Sequence, residues 1–293
     1  MPMKKLSLFL ISAILLCTGN ALAQWNYGSK VVYDTIQSKY LNAPREFTVL
    51  LPASFDKDQT RKYPVLYLLH GMWDDNHSWV NKANLKDVMD HLVLSGEADE
   101  MVVITPNAGG NAEIEQNGYF NMPDWPYEDF FFKELMPTVE KKYRIIGDAK
   151  HRAVSGLSMG GGGATSYAQR HPELFSSVYA MSALMDIPEI GAVKSKSPDD
   201  KIAKLTKSVI DLSCVKFVNN ADDATKNKLR GIAWFVDCGD DDFLLDRNIE
   251  FYQAMRNNGI PCQFRVRNGA HDWEYWHSAL YQSLPFATRY FNK

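Results

Sequence analysis

Short apolar runs alternate with helix-period segments along most of this chain. The runs are "EFTVLLP" (46–52), "YPVLYLLH" (63–70), "MVVITP" (101–106), "RAVSG" (152–156), "SVYAMS" (177–182), "IAWFVDCG" (232–239) and "CQFRVR" (262–267). Positions 65–69, 101–104 and 232–236 are apolar without a break. Strands of that kind are buried on both faces, as in a parallel sheet covered by helices. "KVVYDTIQ" and "REFTVLL" alternate more and predict antiparallel edge strands. Between the strands, "YEDFFFKELMPTVEKKY" (127–143) places Phe131, Leu135, Val139 and Tyr143 at intervals of four, with Pro137 denting the helix. "DRNIEFYQAMRNNG" (246–259) ends on Asn258-Gly259, a helix stop. "WHSALYQSLPFATRYF" closes the chain with helical period. This alternation predicts a doubly wound α/β domain, with a mostly parallel sheet and helices on both faces. Residues 185–230 break the rhythm, are polar ("KSKSPDDK") and exceed an ordinary connection. They predict a small helical insertion above the strand ends.

The first residues read differently. Lys4 and Lys5 precede "LSLFLISAILL", and small residues stand at Ala21 and Ala23. This is the pattern of a cleavable signal peptide, residues 1–23, and it predicts a secreted or periplasmic protein. The apolar run is too short for a stable membrane span. A single α/β domain of residues 24–293 is then expected. The formal net charge is −3, and falls by two, to −5, without Lys4 and Lys5. No basic patch suggests nucleic acid as a partner. Cys214, Cys238 and Cys262 follow the leader, too few for a disulfide scaffold. Pairing of Cys238 with Cys262 is disfavoured, because they fall at opposite ends of two adjacent parallel strands.

Candidate chemistry begins at "VSGLSMGGGGA". Gly156-Leu157-Ser158-Met159-Gly160 matches G-x-S-x-G between a strand and a helix. The serine of such a turn is strained, and side chains two residues to either side would collide. Each glycine inside a helix costs about 1 kcal/mol relative to alanine. The further run Gly161, Gly162 and Gly163 therefore predicts close packing of the helix start on neighbouring backbone. A glycine-rich turn with an incidental serine is the plain alternative, and a phosphate loop is disfavoured because no G-K-[ST] follows.

A nucleophilic Ser158 needs a base and an orienting acid. In the order Ser, acid, His, two histidines follow the acidic stretch: His271 and His277. His271 comes after the last predicted strand, behind Gly269 and Ala270, and is the candidate base. His277 lies within the closing helix. Backbone donors for an oxyanion are expected from Met159, just after the nucleophile, and from Met72 in "LLHGMWDD", with Trp73 as its alternative. His70 would shape that loop through hydrogen bonds. The acid must come from "VDCGDDDFLLD", which holds Asp237, Asp240, Asp241, Asp242 and Asp246.

The segments "PVLYLLHGMWDD", "DFFFKELMPTVEKKYRI", "RAVSGLSMGGGGA", "CGDDDFL" and "GAHDWEYW" together resemble the esterase D-type branch of α/β hydrolases. That branch includes the feruloyl and acetylxylan esterases of carbohydrate esterase family one and the S-formylglutathione hydrolases. The resemblance implies an α/β-hydrolase fold, a Ser-His-Asp triad, and no metal or cofactor. It also implies that the acid lies three residues after the glycine closing the penultimate strand, which is Asp242, with Asp241 the alternative. Asp237 then falls too early, Asp240 and Asp241 face solvent, and Asp246 caps the next helix. A calcium loop is disfavoured, because no D-x-[DN]-x-[DN]-G pattern is present.

Secretion, the branch and aromatics near predicted loops (Trp73, Tyr119, Phe120, Trp125, Trp273) point to acetyl or feruloyl esters on plant polysaccharide. Trp73, Trp125 and Trp273 are the candidate substrate contacts, and ordinary packing is the competing reading for each. Alternatives are a short-chain carboxylesterase, an S-formylglutathione hydrolase-like enzyme or a siderophore-ester hydrolase. S-formylglutathione hydrolases resembling this chain usually carry a cysteine shortly after the H-G loop, and "HGMWDDNHSW" has none. A catalytically silent carbohydrate-binding protein is the reading from outside the enzymes.

Overall fold

The structure, a computed structural model, describes residues 28–110, 115–188, 197 and 200–291. The expected leader and part of the 185–230 insertion lie outside the described residues. Among the described residues ten strands are present: β1 (Lys30–Ser38), β2 (Ala43–Leu51), β3 (Val65–Leu69), β4 (Val102–Pro106), β5 (Asn121–Met122), β6 (Trp125–Pro126), β7 (Arg152–Leu157), β8 (Ser177–Met181), β9 (Ala233–Gly239) and β10 (Gln263–Arg267). Eight form one sheet in the order β1-β2-β4-β3-β7-β8-β9-β10. β1 pairs antiparallel with β2, and β2 with β4, while the other neighbours run parallel. This is the mixed sheet the patterning predicts, with the alternating segments at its edge.

The unbroken apolar runs have a simple cause. Val65, Tyr67 and Leu69 of β3 enter one core, with Phe131, Val139, Tyr167 and Phe251. Leu66 and Leu68 enter the other, with Val88, Leu92, Ala279, Leu280 and Leu284. A strand such as β3 thus feeds both helical layers, which is why its run of apolar residues does not alternate. The first layer holds α3 (Tyr127–Phe130), α4 (Met136–Lys142), α5 (Met159–Arg170) and α9 (Leu245–Asn257). The second holds α1 (Ser78–Ala83), α2 (Leu85–Leu94) and α10 (Trp273–Arg289). The insertion supplies α6 (Lys201–Asp211), α7 (Cys214–Asn220) and α8 (Asp223–Leu229). It is fastened to the domain where the Cys214 N–H donates to the Met185 carbonyl at 2.9 Å.

Two expectations change in detail. The segment 127–143 is not one α-helix: Phe131–Leu135 is a π-helical turn between α3 and α4. Pro137 cannot donate to the Lys133 carbonyl and its ring crowds it, so the preceding turn widens. Asp246 does not cap the helix that follows. α9 begins at Leu245, its N-cap is Leu244, and Asp246 sits within the first turn. The helix start carries no side-chain cap; Asp242 accepts the Leu244 N–H just ahead of it. In β9 and β10, Cys238 pairs with Val266 and Cys262 precedes Gln263, which pairs with Phe235. That separation of about four residues, roughly 13 Å along a strand, exceeds disulfide reach. Cys214, Cys238 and Cys262 are free.

One polar knot lies inside the second core. Asp237 is fully buried on β9. It accepts hydrogen bonds from Tyr179 Oη of β8 (2.7 Å), Tyr275 Oη of α10 (2.6 Å) and Arg265 Nε of β10 (3.1 Å). Arg265 reaches solvent, so removing Asp237 chiefly leaves the Tyr179 and Tyr275 hydroxyls without their acceptor, at about 1–3 kcal/mol. Asp237→Ala is expected to lose roughly that much, read as a lower urea midpoint at unchanged m-value.

Candidate active site

The tight contact between the first turn of α5 and the strand ends positions the serine. Ser158 joins β7 to α5 with φ 53° and ψ −119°, a conformation that costs a non-glycine residue about 1–3 kcal/mol. Three backbone bonds hold it. The Ser158 N–H donates to Met181 O at 2.9 Å, and its carbonyl accepts from Leu184 N–H (2.9 Å) and Gly162 N–H (3.1 Å). A Cβ on Gly160 would stand 2.5 Å from the His70 carbonyl oxygen and 2.6 Å from that of Leu69. A Cβ on Gly156 would stand 2.4 Å from the Gly160 carbonyl oxygen. Both glycines of the motif are therefore sterically required.

The structure brings Ser158, His271 and Asp242 together. His271 Nε2 lies 3.0 Å from Ser158 Oγ, and Nδ1 lies 2.8 Å from Asp242 Oδ2. An ionised Asp242 requires Nδ1 to carry the proton, which leaves Nε2 to accept from the Ser158 hydroxyl. The other Asp242 oxygen accepts the Leu244 N–H at 2.8 Å. Burial pushes the Asp242 carboxyl upward. Hydrogen bonds from His271, the Leu244 N–H and the Ser182 hydroxyl outweigh it and hold the group below the usual carboxylate range. Asp240 and Asp241 are exposed, and Asp240 additionally accepts the Gly269 N–H at 2.9 Å.

The loops that carry Asp242 and His271 are laced to each other. The Asp240 N–H donates to Arg267 O (3.0 Å) and the Asp241 N–H to Gly269 O (3.0 Å). A Cβ on Gly239 would stand 2.1 Å from the Gly269 carbonyl oxygen, so no other residue fits there. Below the imidazole, Trp276 meets His271 edge-on at 5.0 Å and donates its Nε1–H to Ser182 Oγ at 3.1 Å.

The H-G loop lies beside the serine. His70 is fully buried: its Nε2 accepts the Ala108 N–H (3.0 Å), and its Nδ1 donates to Gly71 O (2.7 Å). Burial pushes its pKa down, and with both ring nitrogens committed it braces the loop as a neutral side chain. Tyr119 Oη bridges the His70 N–H and carbonyl. Asn117 Nδ2 donates to Met72 O at 2.5 Å, which orients the Met72–Trp73 peptide, while the His70 bond to Gly71 O holds the Gly71–Met72 peptide that carries the Met72 N–H. The Met159 N–H opens α5, where no preceding turn can accept it.

The three candidate tryptophans differ. Trp73 is 56 % exposed, directly after Met72. Trp125 is buried, donates Nε1–H to Gly118 O at 2.8 Å and stacks on Tyr127, so it packs the interior rather than offering a face to substrate. Trp273 is half-buried, edge-on to Trp79 and Trp276 with Lys82 above its ring. Tyr119 and Phe120 are buried as well. His277 packs in α10 and bonds the Ala83 carbonyl at 2.8 Å. Sequence reasoning missed Phe243, 75 % exposed and 4.4 Å from the His271 ring, and it missed Ser182 and Asn248. Asn248 clamps the Ala183 peptide from both sides. Only the aromatic inside the acidic turn was a usable signal. A cavity of ≈720 Å³ opens at the other end of the sheet, between Pro172, Arg230 and Cys262, and no candidate site residue lines it. Among the described residues no group of three or more His, Cys, Asp or Glu is arranged to hold a metal.

A mostly parallel sheet with a serine on the sharp turn after a central strand defines the α/β-hydrolase class. Within it, the chain belongs to the esterase family: the family model described as putative esterase matches residues 38–287. It is therefore a member of a family of carboxylic ester hydrolases. A solved ferulic acid esterase is 67 % identical, with a TM-score of 0.88, over 91 % of this chain and 100 % of that one. The endo-1,4-beta-xylanase/feruloyl esterase of Xylanibacter ruminicola is 26 % identical over 262 residues, 87 % of this chain. The chain spans only about a third of that relative, 31 % of its length. The acetyl esterase of Caldicellulosiruptor saccharolyticus is 22 % identical over 268 residues, covering 86 % of this chain and 96 % of that protein.

Asp242→Asn is expected to lower kcat by about two to four orders of magnitude, because an amide cannot hold the Nδ1–H tautomer. Asp241→Asn should change kcat by less than about twofold, since its side chain is exposed; an equal loss at both would reassign the acid. The depressed Asp242 pKa adds a pH signature. Stability from its carboxylate is full above the unfolded value, about 3.9, and disappears as pH falls through the lower folded value. The stability gap between parent and Asp242→Asn should therefore close below about pH 4, as followed by urea midpoints.

Proposed function

We propose that this chain is a serine esterase that hydrolyses feruloyl esters of plant polysaccharide through an acyl-enzyme. The observation that carries the reading is the unbroken relay Ser158–His271–Asp242, at 3.0 and 2.8 Å. His271 Nε2 takes the hydroxyl proton as Ser158 Oγ attacks the ester carbonyl. The developing oxyanion sits between the backbone N–H groups of Met72 and Met159, with the positive end of α5 behind it. Asp242 stabilises the imidazolium without taking its proton. That proton passes to the departing alcohol oxygen as the tetrahedral intermediate collapses to acyl-Ser158. Water then enters, loses a proton to His271 and attacks the acyl carbon. Ser158 leaves, reprotonated, and the free acid departs.

The feruloyl preference is supported by the 67 % identical ferulic acid esterase. An acetyl preference is the second reading, supported by the acetyl esterase that aligns over most of both chains. Trp73, exposed beside Met72, is proposed to meet the substrate. Export through a leader of residues 1–23 is part of the proposal, and no helix among the described residues is long and apolar enough to cross a membrane.

Comparison of methyl ferulate, acetylated xylan and p-nitrophenyl acetate tests the reading. Ferulate release by the parent is expected to vanish in Ser158→Ala, by about four orders of magnitude or more, with the circular dichroism spectrum unchanged. Activity retained without Ser158 would remove the serine mechanism. Acetate release from xylan without ferulate release would replace the acyl group by acetyl.

A further inference from the structure

The Ser158–His271 hydrogen bond gives the site a direction. The imidazolium formed during attack must pass its proton to the departing alkoxide. The alcohol half of the ester therefore lies against His271 Nε2, and the acyl half extends away from that ring. A side chain that packs against His271 and remains open to solvent borders the alcohol half.

Phe243 has that position. Its ring lies 4.4 Å from the His271 ring at an angle of 48°, and the residue is 75 % exposed. Its direction is set by its neighbours. Asp242 and Leu244 are both buried, and the Leu244 N–H is bonded to Asp242 Oδ1 at 2.8 Å. With both flanking side chains drawn inward, the one between them projects outward. Among the described residues seven large hydrophobic side chains are exposed, and Phe243 is the most exposed of them. Only Phe243 and Trp73 belong to loops that carry candidate site residues. They follow β9 and β3, which lie on opposite sides of β7 in the sheet. The two aromatics thus flank Ser158, Trp73 on the side of the oxyanion donors and Phe243 on the side of the base.

We propose that Phe243 determines specificity for the alcohol half of the substrate, by stacking its exposed face on the sugar ring that bears the ester. The assignment rests on the feruloyl esterase reading and deepens it. A sugar presents a face of C–H bonds that an aromatic ring covers well, whereas a methyl ester offers no such face. The outward Phe243 ring also leaves room for a sugar embedded in a longer chain.

The experiment compares kcat/KM for a feruloylated arabinoxylo-oligosaccharide with kcat/KM for methyl ferulate, in the parent, Phe243→Ala and Phe243→Tyr. The ratio of oligosaccharide to methyl ester should fall about fivefold in Phe243→Ala, the scale of one lost ring stack. The fall should appear in KM for the oligosaccharide, and Phe243→Tyr should restore the ratio. A parent that cleaves both esters, with the ratio unmoved in Phe243→Ala, would overturn the assignment and leave Phe243 as a support for His271. A parent that cleaves neither ester would overturn the feruloyl reading and the sugar assignment with it.

Discussion

The first turn of α5 must pack within touching distance of the ends of β3 and β7, and the rest of the site depends on that contact. It forces glycine at 156 and 160, and it bends the chain at Ser158 into a conformation that serine does not favour. The strain is tolerable because Met181, Leu184 and Gly162 bond the same residue. The outcome is geometric. Ser158 Oγ meets His271 Nε2, and the Met159 N–H opens the helix at the next residue. The proposed nucleophile and one proposed oxyanion donor thus come from one bend.

Asp242 and His271 have a second, separate foundation. Asp237 ties β8, β9, β10 and α10 together beneath the loops that carry Asp242 and His271. Two aspartates five residues apart thus divide their labour by depth. The deeper one is satisfied by two tyrosines and an arginine and fixes the strand ends. The shallower one keeps one oxygen for the imidazole. Neither stands without donors, as a carboxylate removed from water requires. The acidity of "VDCGDDDFLLD" is therefore only partly a surface property: its first and fourth aspartates are buried, and the other three are exposed.

Legibility in the sequence followed the range of the interactions. The sheet was readable because burial on both faces leaves a local mark, a run of apolar residues without alternation. Ser158 was readable as a position because the glycines around it answer a clash within a few residues. His271 was readable from order and from the small residues before it. Asp242 rested on family resemblance, since five carboxylates in one turn look alike until a partner 29 residues away selects one. Asp237 was unreadable as a hub, because its partners lie 58, 28 and 38 residues away. Asp246 is not the cap, because the helix begins one residue before it, at Leu245, with no side-chain cap at all. Trp125 shows the limit for aromatics: composition does not tell whether a ring lines a cleft or the interior.

The Gly239–Gly269 contact has a mechanical consequence. Two chains that approach this closely cannot slide past each other, and the bonds from Asp240 and Asp241 close the seam on one side. The loops that carry Asp242 and His271 are therefore fixed to each other at their bases. Ser158 stands on a different support, the bend between β7 and α5. The Ser158–His271 contact is the one place where the two supports meet, so the proposed proton transfer spans a joint between them.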